Sequence, residues 1–469
     1  MKNNKLVSDF INYFFSDLFV KGFLFLSLPL LSKIMSPSEY GKLSLVNSAI
    51  MILYVLISLN LQNAVINRYM KSSENFGSFL YSNLIFVFSF QVLVVLVSPF
   101  FVDQISIYFG LSGSDIQWVI YISVLLTYLY VYTIYLQASR QSKKCATYNV
   151  ASKVFEVILI FAFALYLKEN QYLSKIYSQL IITGILLFFV SKELYKLIEF
   201  KFSITHVLGA LAFSIPLIPH VLSNNLLTQA DRFIISNELG LASAGIYSFA
   251  YNIAMAVIVI ILAWNSSWQP KLYELLNDKK YDQVVNITKK STIIICFITF
   301  FAVLFSSEAV VVMAAKEYYP AKELVPLIII ANSLTYVYLI FSNFVFYLKK
   351  SVYISAATLI ALGVNLFLNM LFIPKYGMIA AAWTTIASYL MLCFCYYIVS
   401  KLIFKEMPFG FGVIFQVLGV SLSAYLLLIL LNLYCDVYTA FIIKVIVLIV
   451  AIYAIYKNRS HFTKGALNG

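Results

Sequence analysis

Charged side chains occur inside two long apolar stretches of the sequence, at spacings that place them on one helix face. Asp17 and Lys21 are four residues apart, and Lys153 and Glu156 are three residues apart. Such residues are neighbours on a helix. A charge in a membrane-spanning helix is costly and commonly marks a path for ions or polar cargo. Both pairs are therefore predicted to bind or translocate a polar substrate. The alternative is that each pair satisfies itself and only fixes helix packing.

Other charges lie at the ends of apolar stretches. Arg68 and Arg140 each follow such a stretch, and either guanidinium could bind a phosphate group with two hydrogen bonds. Either could equally be an ordinary positive anchor at a membrane surface. Asp231 and Arg232 are predicted to close the seventh stretch, as part of a site or as loop structure. Lys444 lies inside the last stretch and is expected to extend towards the interface.

Amide side chains form further polar stripes. Amides bind hydroxyl-rich ligands such as sugars, but they also join helices to one another inside a membrane. His220 is a candidate on the same grounds, although a packed polar role suits a lone histidine better. The stripes comprise Asn60, Asn63 and Asn67 on one predicted helix face, Asn224 and Asn225 after His220, and Asn365 with Asn369.

The composition is that of a membrane protein. The chain has 469 residues, 62% of them hydrophobic and 11% charged, with a mean hydropathy of +0.89. About 20 apolar residues are needed for one helical crossing, and the apolar runs are too long and uniform for a barrel. We therefore predict an all-α polytopic membrane protein with about 14 transmembrane helices. The predicted spans are 10–34, 43–66, 79–102, 116–138, 147–167, 173–191, 206–228, 245–268, 291–314, 324–348, 352–373, 378–400, 412–432 and 438–456.

Lysines and arginines set the predicted orientation. Most of the 33 fall in alternate connectors, which places both termini in the cytoplasm. The same distribution, together with attraction to the lipid bilayer, accounts for the net charge of +13, so nucleic-acid binding is not predicted. The five cysteines and three histidines have no metal-ligand spacing, and no metal site is predicted.

An internal repeat divides the chain. The segment "YGKLSLVNSAIM" (40–51) lies 204 positions before "AGIYSFAYNIAM" (244–255), and Lys143-Lys144 precede Lys349-Lys350 by a similar offset. Six spans separate the copies, so both enter the membrane in the same direction. The prediction is two parallel six-helix lobes around a central cavity, plus two extra helices. The predicted boundaries are 1–201, 202–405 and 406–469, the last including a cytoplasmic tail.

Short motifs mark the corners of the predicted fold. In "SPSEYG", Ser36 is predicted to cap a helix, Pro37 to occupy its first turn and Glu39 to reach back in a capping box. Gly41 is expected to permit the close approach of a neighbour. Pro216 and Pro219 are predicted to kink the seventh span.

Three of these segments resemble signatures of the polysaccharide transporter family, within the multidrug/oligosaccharidyl-lipid/polysaccharide exporter superfamily. They are "LLSKIMSPSEYGKLSLV", "SIPLIPHVLSNNLLTQADRFIISNELGLASAGIYSFAYNIA" and "FIPKYGMIAAAWTTIASYL", in the family's order over about residues 1–405. The resemblance implies a flippase that works by alternating access in the bacterial cytoplasmic (inner) membrane. Its cargo would be undecaprenyl-pyrophosphate-linked oligosaccharide, moved to the outer leaflet for O-antigen, capsule, lipopolysaccharide or a similar polymer. A polymerase and a chain-length regulator would be its partners.

Two other functions stay open. A cation-coupled small-molecule or drug antiporter of the same superfamily would share the architecture, and a membrane polysaccharide polymerase is the enzymatic alternative. The longest predicted outer connectors, 103–115 and 229–244, are short for a polymerase. No phosphate loop is present, so neither ATP hydrolysis nor a cofactor is predicted. Coupling to H⁺, Na⁺ or the membrane potential, and the identity of the sugar, stay open.

Overall fold

The computed structural model describes residues 2–72, 74–348, 350–403, 408 and 410–457, with side chains from Asn12 onwards. All regular elements in these ranges are helices. The prediction of an all-α fold is confirmed. Fourteen helical segments of the described residues are long and apolar enough to cross a membrane, as predicted. Lys349 and the predicted tail at 458–469 lie outside the described residues.

The helices follow one another with short connections. In the first part of the chain they are α1 (Lys2–Ile34), α2 (Pro37–Ile57), α3 (Leu61–Lys71), α4 (Phe76–Val97), α5 (Val102–Phe109), α6 (Gly113–Ala138), α7 (Ser142–Tyr166), α8 (Leu173–Leu197), α9 (Ile204–Ser214) and α10 (Ile218–Leu239). They continue as α11 (Leu241–Asn277), α12 (Tyr281–Leu304), α13 (Ser306–Met313), α14 (Ala321–Tyr347), α15 (Ser351–Tyr376), α16 (Met378–Ile403), α17 (Gly412–Tyr434) and α18 (Val437–Lys457). Single 3₁₀ turns occupy Ser98–Phe100, Ile215–Leu217 and Lys316–Tyr318.

The second predicted span is interrupted near its middle. Helix α2 ends at Ile57, and Leu59 and Asn60 have φ values of 48° and 55°. Asparagine adopts this left-handed conformation more readily than most residues. Asn60 therefore precedes α3 instead of continuing α2, and the prediction that it shares one uninterrupted helix face with Asn63 and Asn67 is wrong.

The seventh span is longer than predicted. It runs from Ile204 to Leu239 and passes through a 3₁₀ turn at Ile215–Leu217, where Pro216 removes a backbone donor. The helix geometry changes at Pro216, and Pro219 lies in the first turn of α10. The kink of this span stays a prediction. The predicted connector 229–244 is wrong, because α10 continues to Leu239 and Gly240 alone separates it from α11.

The chain divides between Ser248 and Phe249 into two compact units. In the first unit, α7 packs against α1 and α8, while α6 packs against α2, α3 and α8. In the second unit, α14 is the central helix and packs against α12, α16 and α17. Its membrane-spanning window is 89% buried. The predicted lobe boundaries at 201 and 405 stay predictions.

Within the first unit, α2 crosses the first turns of α11 at two glycines. A Cβ atom on Gly41 would lie 2.1 Å from the carbonyl oxygen of Leu241, and one on Gly245 would lie 1.8 Å from that of Pro37. The expectation of close approach at Gly41 is confirmed. Ser44 Oγ also donates to Ser248 Oγ at 2.8 Å, so residues equivalent in the repeat touch each other.

The cap of α2 differs in part from the prediction. Ser36 is the N-cap, and its hydroxyl accepts from the Glu39 amide at 3.4 Å. The Glu39 carboxylate accepts instead from the backbone N–H of Tyr172 at 2.9 Å. The glutamate thus joins the start of α2 to the start of α8, a partner 133 residues away that local sequence does not reveal.

Candidate functional site

A basic cleft lies between α3, α4 and α9 in the first unit. Its volume is about 230 Å³, and the predicted orientation places it at the cytoplasmic end of these helices. Helix α3 contributes three polar side chains within about one turn, and the first turn of α9 contributes two more. The cleft is lined by Ala64, Asn67, Arg68, Lys71, Phe79, Thr205, His206, Gly209, Ala210 and Phe213.

Arg68 is held in this cleft with part of its hydrogen-bonding capacity unused. Its Nη2 donates to the carbonyl oxygen of Glu74 at 2.9 Å, and its guanidinium lies 5.9 Å from the centre of the Phe79 ring. Its Nε is buried and has no hydrogen-bond partner among the described residues. Over the same residues, neither Arg68 nor Lys71 forms an ion pair. The cleft therefore carries positive charge that no described carboxylate compensates.

Helix α4 positions the far wall of the cleft. The hydroxyl of Ser78 donates to the carbonyl oxygen of Lys201 at 2.8 Å, and the Ser203 amide donates to Ser82 Oγ at 2.9 Å. A Cβ on Gly77 would lie 2.8 Å from the carbonyl oxygen of Leu197. These contacts hold the segment before α9 against α4, which places Thr205 and His206 opposite Arg68.

Sequence reasoning found two of the five polar residues that line the cleft and missed three. Asn67 and Arg68 were predicted. Lys71 follows Arg68 by three residues, so helical spacing could have revealed it. Thr205 and His206 arrive from a helix more than 130 residues further along the chain, and no local signal connects them to α3.

A second charged group links α7 to α8. Lys153 Nζ donates to Glu156 Oε2 at 2.8 Å, so the predicted pair forms. Lys175 of α8 donates to the other carboxylate oxygen of Glu156 and, at 3.0 Å, to Gln179 Oε1. Glu156 and Lys175 are 4% and 6% exposed. Lys175 was not a predicted site residue, because its partner lies 19 positions away on another helix.

The predicted pair in α1 also forms. Lys21 Nζ lies 2.6 Å from Asp17 Oδ2, and the two side chains are 27% and 64% exposed. The pair is thus open to its surroundings on the aspartate side. This geometry suits a translocation path and equally suits a self-satisfied pair.

Asp231 and Arg232 lie inside α10 and are buried. Arg232 Nε donates to Ser248 Oγ at 3.2 Å, and the Tyr247 hydroxyl donates to Asp231 Oδ2 at 2.8 Å. Ser48 of α2 donates to Gln229 Oε1 at 2.7 Å in the same group. These bonds join α2, α10 and the start of α11, which favours a structural role for both charges.

The predicted amides divide between packing contacts and exposed positions. Five of these amides hydrogen-bond to other groups of the protein. Asn224 is exposed and His220 is half-buried. The hydrogen bonds run from Asn63 Nδ2 to Asn60 Oδ1 (2.7 Å), from Asn225 Nδ2 to the Met51 carbonyl (2.9 Å) and from Asn369 Nδ2 to Asn365 Oδ1 (3.0 Å), with Thr384 donating to Asn369 Oδ1. Asn365 and Asn369 are fully buried. This arrangement favours helix packing for that stripe.

Two further predicted residues, Arg140 and Lys444, lie outside the cleft. Arg140 is exposed in the turn between α6 and α7, with φ of 56°, and is not among the residues that line the cleft. Lys444 is 1% exposed and donates to Glu308 Oε1 at 2.7 Å. The expectation that Lys444 reaches the interface is wrong, because a carboxylate within the second unit supplies a nearer partner.

The helices and their buried charges define a multi-pass membrane protein. The family model of polysaccharide biosynthesis proteins matches residues 6–276, and the chain belongs to this family. It is 24% identical over 400 residues to protein 1 of the Lsg locus of Haemophilus influenzae, covering 80% of this chain and 95% of that relative. An uncharacterized membrane protein of the same organism is 21% identical over 395 residues, covering 80% and 94%.

Solved transporters share the fold. The lipid II flippase MurJ in an inward closed conformation superimposes with a TM-score of 0.74 and 17% identity, covering 97% of this chain and all of that one. An inward-facing multidrug resistance MATE transporter gives a TM-score of 0.64 and 12% identity, covering 81% and 95%. At these identities the likeness establishes the fold.

Proposed function

We propose that this protein is a flippase that carries undecaprenyl-pyrophosphate-linked oligosaccharide repeat units from the cytoplasmic to the outer leaflet of a bacterial inner membrane. Membership of the polysaccharide biosynthesis family and the fold shared with the lipid II flippase support this proposal. The sugar head of such a cargo cannot cross hydrocarbon bare, since each unpaired polar group costs several kcal/mol there. An alternating-access protein removes this barrier.

The observation that carries the proposal is the uncompensated charge of the basic cleft. A pyrophosphate linker is an anion with several acceptor oxygens, and arginine binds phosphate with its planar fork of donors. Arg68 has a buried Nε without a partner, and Lys71 lies one turn further along α3. In the predicted orientation this cleft faces the leaflet on which the cargo is made.

The proposed setting follows from the same orientation. Both termini lie in the cytoplasm, and the outer-leaflet product feeds O-antigen, capsule or a related polymer through a polymerase and a chain-length regulator. Transport is coupled to H⁺, Na⁺ or the membrane potential. A cation-coupled antiporter has the same fold in its favour, through the MATE transporter, but the uncompensated charges of Arg68 and Lys71 suit the lipid-linked cargo better.

Complementation tests this proposal. The gene is introduced into a panel of strains that each lack a flippase of known cargo, and restored surface polymer is measured. We expect at least one strain to be restored, Arg68→Gln to reduce polymer at least about tenfold, and Arg68→Lys to retain part of it, because a point charge replaces the fork. Lys271→Gln, at an exposed pair with Glu274, is the matched control. Resistance to drugs without restored polymer in any strain would favour the antiporter.

A further inference from the structure

The charge balance of the group on α7 and α8 differs from that of the other intramembrane pairs. Two of these pairs, Asp17 with Lys21 and Glu308 with Lys444, are neutral because each contains one negative and one positive charge. The group of Lys153, Glu156 and Lys175 contains two ammonium groups and one carboxylate. An excess positive charge within the membrane calls for an anion or for water.

Lys153 presents this excess charge. Lys175 is buried and donates to both Glu156 and Gln179, whereas the side chain of Lys153 is 40% exposed and has Glu156 as its hydrogen-bonded partner. Side chains on a helix lean towards its N-terminus, which is the route a lysine in α7 would take to the cytoplasmic interface. Lys153 instead turns to a residue further along α7. Its ammonium is therefore held at depth with N–H donors still open.

An exposed aromatic ring lies on the neighbouring helix α6. Tyr130 of α6 is 42% exposed, and the rings of Tyr132 and Tyr148, slightly nearer the cytoplasmic ends of the same two helices, pack 6.2 Å apart, which brings Tyr130 to a depth similar to that of Lys153. The ring of Tyr130 packs 4.8 Å from that of Tyr54 on α2, which fixes its orientation. An ammonium with open donors is unsuited to lipid contact, and together with an exposed aromatic ring it offers the two groups that a charged pyranose needs.

We infer that Lys153 and Tyr130 form a subsite for an acidic sugar, in which Lys153 binds a carboxylate and Tyr130 stacks on the ring. Lys175 is a positioning residue, because it occupies the second oxygen of Glu156. Lys153 lies about 16 Å along α7 from Ser142, and Tyr130 about 12 Å along α6 from Ala138, at 1.5 Å per residue. The subsite is thus deeper than the basic cleft, as a sugar attached beyond a pyrophosphate requires. This inference rests on the proposed function and specifies its cargo as acidic.

Transport by the purified full chain in lipid vesicles tests the inference. Two lipid-pyrophosphate disaccharides are compared that differ only in a carboxylate or a hydroxymethyl group on the second sugar. We expect wild-type protein to move the acidic cargo about tenfold faster, the effect of one charge-assisted hydrogen bond. Lys153→Gln should reduce this preference to within about twofold, because the remaining Glu156–Lys175 pair is neutral. Lys153→Arg should preserve it.

Controls separate this result from loss of fold and from failure of the proposed function. Lys196→Gln, at an exposed pair with Glu193, should keep the wild-type preference, and thermal unfolding should show that Lys153→Gln is folded. Equal wild-type rates for both cargoes, or a preference that survives Lys153→Gln, would overturn the subsite alone. The assay is repeated with chloride exchanged for isethionate. If this exchange alters the transport rates of both cargoes alike and wild-type protein shows no preference, the group of Lys153, Glu156 and Lys175 binds an inorganic anion and the proposed subsite is wrong. Movement of neither cargo would overturn the proposed function as well.

Discussion

The charged side chains of the first unit differ in how completely their charges are compensated. Asp17 and Lys21 pair with each other, and Arg232 is surrounded by acceptors from its own helix and from α11. Arg68, Lys71 and Lys153 keep donors open. We therefore expect the proposed anionic cargo to bind this last group, since a satisfied charge has little left to offer a ligand.

Replacement of Lys21 by alanine tests the one predicted pair that stands partly exposed. The change leaves the Asp17 carboxylate without its cation in an apolar span. We expect loss of polymer in the complementation assay with an unchanged protein level by immunoblot. The Asp17→Ala, Lys21→Ala double variant separates the two interpretations: continued loss supports a translocation role, and full recovery would mean that the pair only compensates itself.

The buried pair of the second unit has a measurable effect on stability. Lys444→Met leaves Glu308, which is 28% exposed, without its partner and should lower the free energy of unfolding by about 2 kcal/mol. Thermal unfolding in detergent measures this change. The Lys444→Met, Glu308→Gln variant should recover most of it. Lys196→Met, at an exposed pair, should cost less than about 0.5 kcal/mol, and an equal loss there would refute the role of burial.

Sequence could predict the ion pairs whose partners share one helix, because spacings of three and four residues define neighbours. It could not predict the partners of Lys175 or Lys444, which are 19 and 136 positions away. For the same reason, the sequence could not show that His206 lines the basic cleft. A candidate site assembled from several helices is visible in one sequence only as isolated polar residues.

At the level of the helices, glycine and asparagine decide where elements break and cross. Asn60 adopts a left-handed conformation and ends the second span early, whereas hydropathy alone predicted one continuous helix. Gly41 and Gly245 bring α2 and α11 into backbone contact. The repeat identified these glycines, and the serines Ser44 and Ser248 that follow them, as equivalent positions, but it did not predict that the two copies contact each other.

Gly245→Ala should disturb this crossing. The added Cβ would meet the Pro37 carbonyl oxygen, and the overpacking should lower the free energy of unfolding by about 2 kcal/mol. Gly363→Ala in α15 is the matched control, since a Cβ there meets nothing within 4 Å and alanine favours a helix. Thermal unfolding compares the two variants. An unchanged melting temperature for Gly245→Ala would contradict the backbone contact.

For the whole molecule, the number of spans followed from hydropathy because each crossing is a local property of about 20 residues.

The predicted orientation of the chain in the membrane rests on the distribution of lysine and arginine alone, and cysteine labelling tests it. In a cysteine-free background, Lys168→Cys should react with an impermeant maleimide in intact cells. Lys143→Cys, also at an exposed position but at the other end of α7, should react only after permeabilisation. The reverse pattern would invert the assigned topology and place the basic cleft on the wrong side.

The most direct measurement of the central claim is transport by purified protein in sealed vesicles. A fluorescent undecaprenyl-pyrophosphate oligosaccharide is placed in both leaflets, and the fraction accessible to an external quencher is followed over time. The flippase proposal predicts protein-dependent movement that Arg68→Gln slows at least about tenfold while Lys271→Gln leaves it unchanged. Absence of movement by wild-type protein, or growth of a polymer in place of movement, would contradict it.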